Sequence, residues 1–173
     1  CGELIALGHE VDFKKNVSQE EIKGYDLILV PSSIVCHESE LAVIEKFSSH
    51  KKILVIGPFG SSNPENYLKK GAAVLKGEPE NFFHNIDLTK FLENFRAVKI
   101  ENNKIVPLDD LNLPGWETIF KEYTPVMKFL GNGPAINLYA SKGCPYTCSY
   151  YCVYPMQQGN KLRLRSPKKV VDE

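Results

Sequence analysis

Up to about residue 90 the chain alternates short runs of apolar, often β-branched residues with longer segments whose apolar positions recur at helical spacing. The runs predict buried strands at 26–31 and 52–57 and a weaker one at 73–76. Residues 4–7 read as the end of a helix closed by Gly8, with 10–13 as the strand after it. A helix over 38–48 carries Leu41, Ala42, Val43, Ile44 and Phe47. A long turn is expected at 58–64 and a short helix at 65–70. Continuous apolar strands separated by helices imply a parallel sheet covered on both faces and linked by right-handed crossovers.

Beyond this region the pattern breaks up. Segments 97–100 and 104–106 are expected to pair as a hairpin across 101–103, and 107–125 mixes prolines, acids and Trp116 without a period. A strand at 135–140 leads into a cysteine-rich stretch. A short strand at 162–165 comes next, then a helix with Ser166 as N-cap and Pro167 at its first position. Three parts are therefore expected: a Rossmann-like domain over 1–90, a linker over 91–133 and the start of a further domain over 134–173. Open parallel sheets bind ligands beyond the carboxyl ends of their strands, here the loops 31–35, 57–63 and 77–80.

A hydrophobic content of 43% in 173 residues is enough for a core. Lys+Arg and Asp+Glu balance at 21 each, which argues against nucleic acid or an acidic membrane surface as the main partner. No run approaches the ~20 apolar residues of a membrane span, and a cytoplasmic protein is expected. The chain opens on Cys1 and closes within Val170-Val-Asp-Glu173, in what reads as a helix start, so it is read as part of a longer protein. Five cysteines, an odd number with two of them isolated, do not suggest a disulfide framework.

The other three cysteines crowd into Gly143-Cys-Pro-Tyr-Thr-Cys-Ser-Tyr-Tyr-Cys152. Thiolates are the usual ligands of iron-sulfur clusters, and a four-iron cube takes four of them; three would leave one iron open. Two other readings stand beside this one. Spacing by four puts Cys144, Cys148 and Cys152 on one face if the segment is helical, as in an ordinary core, although Gly143 and Pro145 oppose a helix there. Zinc also takes clustered thiolates but favours pairs two residues apart and a fourth protein ligand, for which only His84 and Cys36 are at hand.

The strand ending in Ala140-Ser-Lys-Gly143, together with the cysteine stretch after it, resembles the cluster loop of radical S-adenosylmethionine (radical SAM) enzymes. The segment Arg163-Leu-Arg-Ser-Pro-Lys-Lys-Val-Val-Asp-Glu173 is similar to the one downstream of that loop in members carrying a cobalamin-binding-type domain. Upstream, Leu7-Gly-His-Glu-Val11, Asp26-Leu-Ile-Leu-Val30, Ile53-Leu-Val-Ile-Gly-Pro58 and Gly71-Ala-Ala-Val-Leu-Lys-Gly-Glu-Pro-Glu80 are similar in order and spacing to such a domain. The resemblance implies an α/β protein: a Rossmann-like domain, a linker, then the first strand and cluster loop of a (β/α) barrel. It implies that Cys144, Cys148 and Cys152 hold a [4Fe-4S] cluster whose open iron takes S-adenosylmethionine, and that Tyr151, with Tyr150 beside it, lies near the adenine. Reductive cleavage of SAM would then give a 5'-deoxyadenosyl radical, with electrons from a donor such as flavodoxin or ferredoxin. The resemblance also admits cobalamin, though the Asp-x-His-x-x-Gly motif of some cobalamin proteins is absent. The family's usual spacing is C-x3-C-x2-C; this chain has C-x3-C-x3-C.

The alternative from another class is a non-catalytic α/β ligand-binding module with a structural zinc or iron-sulfur site. Weaker features are read blandly: His9 and His37 as surface or capping residues, and Asp109 and Asp110 as a solvated acidic loop. Lys161, Arg163 and Arg165 alternate along a strand, as a solvated face or as contacts to an anionic cofactor group.

Overall fold

The computed structural model describes residues 1–120, 138–146, 148 and 152–173. After the short helices α1 (Gly2–Ala6) and α2 (Gln19–Ile22), strand β1 (Leu27–Pro31) leads through α3 (His37–Phe47) to β2 (Lys52–Ile56). Helical turns α4 (Pro58–Ser62) and α5 (Pro64–Leu68) precede β3 (Ala73–Lys76), and α6 (Pro79–Phe83) and α7 (Leu88–Glu93) precede β4 (Lys99–Glu101). These four strands form one parallel sheet in chain order, with Leu29 beside Leu54 and Leu54 beside Ala73. The protein is α/β, and the sheet is consistent with a Rossmann-like domain.

Alternation along the strands divides the core in two. Ile28, Val30, Ile53, Val55 and Val74 face one way and pack with Ile22, Leu41, Ile44, Phe47 and Tyr67. Leu27, Leu29, Leu54, Ile56, Ala73, Leu75 and Ile100 face the other way, against Leu4, Phe83, Leu88 and Phe91. The helices α3 and α5 thus cover one face of the sheet and α1, α6 and α7 the other, as continuous apolar strands require.

Several local expectations are corrected. Residues 10–13 are not a strand: they join no ladder of the sheet, and an apolar alternation without a ladder partner stays a loop, with Val11 packed on the core and Asp12 accepting from Tyr25. The expected turn at 58–64 winds into α4 instead. Pro58 at the first helical position brings the right φ, and Ser61 Oγ donates back to Gly57 O at 2.8 Å. The expected hairpin does not form; Lys99–Glu101 joins β3 in parallel, while Val106 turns inward and its amide donates to Asn81 Oδ1. The crossover that makes this possible is α6 with α7, which starts at an Asp87 cap accepting from the Lys90 amide. The segment read as a linker contains a 3-10 turn (Leu108–Asp110) and α8 (Trp116–Phe120).

The last part is a two-stranded antiparallel ladder of β5 (Ser141–Lys142) and β6 (Arg163–Leu164), with α9 (Tyr154–Gln158) between them and α10 (Pro167–Asp172) after. Ser166 caps α10 as expected, its hydroxyl accepting from the Lys169 amide. Of the strand expected at 135–140, positions 138–140 are not strand and 135–137 lie outside the described residues. No barrel is formed among the described residues, and no helix there is long and apolar enough to cross a membrane.

Candidate metal-binding loop

The cysteine loop runs from β5 to α9, and its two ends are fastened to each other. The Gly143 amide donates to Gln158 Oε1 at 3.1 Å and the Cys144 amide to Gly159 O at 3.3 Å. Below that, Ser141 pairs with Leu164 and Lys142 with Arg163, and the Arg165 amide donates to Ala140 O. Gly143 is required at this neck: its φ is +86°, and a Cβ would stand 2.0 Å from Lys161 O.

All three cysteines on the loop are free thiols, Cys144 and Cys152 half-buried and Cys148 exposed. In kind and number they suit an iron-sulfur cluster, which takes soft thiolate ligands in short loops. Among the described residues no three His, Cys, Asp or Glu side chains are gathered about a common point, so loading would have to draw the three sulfurs together. Tyr150 and Tyr151 lie outside the described residues. Among the described residues neither spare zinc ligand forms a group of three with the loop's cysteines: His84 Nδ1 pairs with Glu3 Oε2 at 2.9 Å, and Cys36 is exposed at the start of α3.

The loop's base rests on the carboxyl end of the sheet. There Ser32 Oγ accepts from the Gly60 amide and donates to Ile56 O, while Ser61 Oγ ties Gly57 to the end of β3 by donating to Gly57 O at 2.8 Å and accepting from the Gly77 amide. Gly60 has no room for a side chain, since a Cβ would meet Val55 at 2.8 Å and Ser32 Oγ at 2.9 Å. The loops that sequence places at the binding edge are thus partly sewn to one another. A cavity of about 190 Å³ remains between the ends of β3 and β4 and the α9 segment, lined by residues including Asn81, Asn102, Lys104 and Gln157. Beyond Ser32, the loop 31–35 keeps Ile34 and Val35 exposed.

Of the three alternating cations, Arg163 pairs with Glu78 and Arg165 with Glu173, and Lys161 stays exposed. Sequence reasoning missed Glu78 and Glu80 as partners of this segment. Their signal was present in two acids flanking Pro79 at the end of a buried strand, but nothing in the sequence says which cation they meet. Asp109 is no free acid either: its Oδ1 accepts from the Ser166 amide at 2.9 Å, and that bond, then the Ser166 hydroxyl, holds its carboxyl below the ordinary aspartate range. The folded chain therefore keeps Asp109 ionised where the unfolded chain, below about pH 4, takes up a proton, so this contact holds above that pH and is lost on acidification. The Ser166 amide resonance is expected to titrate with a midpoint below that of a free aspartate, and to stay flat in Asp109→Asn.

Comparison with known proteins finds no matching family model, curated protein or solved structure.

Proposed function

We propose that this chain is the amino-terminal part of a radical SAM enzyme of the type that carries a cobalamin-binding-like domain, and that it works in the cytoplasm. The observation that supports this best is the cysteine loop itself: three free thiols in nine residues, on a loop closed at its neck and set on the carboxyl edge of a parallel sheet. Cys144, Cys148 and Cys152 would hold a [4Fe-4S] cluster, and Tyr151 and Tyr150 would lie toward the SAM adenine. The chemistry supplied by such a cluster with bound SAM is one-electron cleavage of SAM, the electron coming from a flavodoxin or ferredoxin. The chain's own part is to present three thiolates, hold the neck shut through Gly143 and keep the loop at the sheet edge. The extra residue between Cys148 and Cys152 lengthens the second span of the loop without changing the number of ligands.

Cobalamin is proposed only for the open part of the sheet edge. The cavity under α9, at about 190 Å³, falls below the ~300–1,000 Å³ of ordinary small-molecule pockets and is too small for a corrin. The loop with exposed Ile34 and Val35 offers apolar surface for one.

Anaerobic reconstitution with iron and sulfide tests the reading. About four irons per chain and broad visible absorption are expected, both lost in a Cys144→Ala, Cys148→Ala, Cys152→Ala variant. Absence of the absorption, its retention in that variant, or one zinc with no sulfide in the purified chain would overturn it.

A further inference from the structure

The seam between the cysteine segment and the sheet is closed by charge. Glu78 Oε1 accepts from Arg163 Nη2, and the two side chains are only 2% and 15% exposed. Lys142 Nζ donates to Glu80 Oε1 at 2.5 Å. The second Glu78 oxygen accepts from Asn81 Nδ2, while Arg163 Nη2 also donates to Gln158 O at 3.2 Å, at the end of α9. One guanidinium therefore touches both the sheet's acid and the helix behind the cysteines.

The two cations are cross-strand partners. Lys142 sits directly opposite Arg163 in the β5–β6 ladder, two positions before Cys144. Like charges directly opposite each other in a ladder repel, so this pair destabilises the neck of the loop unless each cation meets an acid. Glu78 and Glu80, flanking Pro79 at the exit of β3, supply the two acids. The match is one of charge more than of saturated hydrogen bonding: the buried side-chain atoms without a partner among the described residues all belong to Glu80, Arg163 and Arg165. Buried ion pairs add little net stability over apolar pairs of similar volume, and their best-attested use is to fix register.

We infer that Glu78 and Glu80 are positioning residues for the cysteine loop: by neutralising the Lys142–Arg163 pair they hold its neck closed over the carboxyl end of β3. The closure stands on geometry alone; its effect on a bound cluster rests on the function proposed above.

The test uses the full chain with Glu78→Gln and Glu80→Gln together, which removes both charges and keeps side chains able to accept hydrogen bonds. Without metal, the Cys144 and Arg165 amides are expected to exchange about tenfold faster or more, while the amides of β2 keep their protection. Adding Lys142→Met and Arg163→Met to the same variant removes the repulsion and should restore protection at the neck, which a general loss of packing would not. Should the double variant loosen β2 as well, Glu80→Gln alone, at a 40% exposed side chain, supplies the comparison. After reconstitution, the paramagnetic resonance of the reduced cluster is expected to shift in the double variant at an unchanged iron count. Unchanged exchange at Cys144 and Arg165, or no recovery in the quadruple variant, overturns the inference. If the parent chain loads no iron, the cluster reading falls while the exchange data still decide the clasp.

Discussion

Replacing Tyr67 with alanine is expected to lower the stability of the fold by about 3–5 kcal/mol, the usual loss for truncating a fully buried aromatic ring. Tyr67 has no exposed surface, and its ring packs among Ile44, Val55 and Val74 beneath α3. Its hydroxyl donates to Glu40 Oε2 at 2.7 Å, and Glu40 Oε1 accepts from the Ser33 amide. Because the single phenol proton goes to Glu40, the 3.1 Å contact with His37 requires His37 Nδ1 to be the donor. Tyr67→Phe keeps the ring and strands part of this network, at a cost of about 1–3 kcal/mol. Chemical denaturation of the two variants separates ring from hydroxyl. A pH dependence goes with it: burial first, then the Glu40 hydrogen bond and charge, push the phenol well above its ordinary value. The unfolded chain loses this proton from about pH 10 while the folded chain keeps it, so the contribution is complete below that pH and is lost as the pH rises further. The Tyr67→Phe variant should show a shallower decline in stability above about pH 10 than the parent; an equal decline would place the alkaline sensitivity elsewhere.

Gly143→Ala is expected to part the neck of the cysteine loop. The new Cβ would lie 2.0 Å from a backbone oxygen, Lys161 O, which cannot swing away as a side-chain tip would, and the φ of +86° is itself unfavourable for alanine. The φ term alone costs roughly 1–2 kcal/mol, or about tenfold in local opening, and the clash adds to it. Hydrogen exchange at Cys144 and Arg165 should rise accordingly, with the β2 amides untouched because the sheet's core lies elsewhere. If the loop holds the proposed cluster, iron uptake on reconstitution is expected to fall with it. Normal uptake together with normal exchange would mean that the neck tolerates a side chain.

The parallel sheet was legible in the sequence because three of its strands are continuous apolar runs, and burial on both faces leaves few other ways to read Leu27–Val30 or Ile53–Ile56. The cap at Ser166 and the helix stop at Gly8 were legible for a local reason, since a single residue's chemistry decides each. The fourth strand was misread because Lys99–Glu101 is polar at two of three positions and gains its place from the free edge of β3. The helical turn at Pro58 looked like a loop because its glycine and serines are poor helix formers, and Gly60 is there for close packing on Ser32 and Val55. At the candidate site the cysteines stood out by spacing. Glu78 and Glu80 did not, since a contact spanning 85 residues leaves no mark in local pattern.

The strand order of the sheet has a consequence for how the protein forms. Each strand pairs with the one made just before it, so the sheet can grow one strand at a time as the chain leaves the ribosome, with each closure spanning a modest stretch of chain. The Glu78–Arg163 contact is of another kind, since it closes a far longer loop onto a surface that must already exist. The neck of the cysteine loop is therefore expected to close after the sheet it rests on, which pulse-labelled hydrogen exchange during refolding would show as later protection at Cys144 than at the β2 amides.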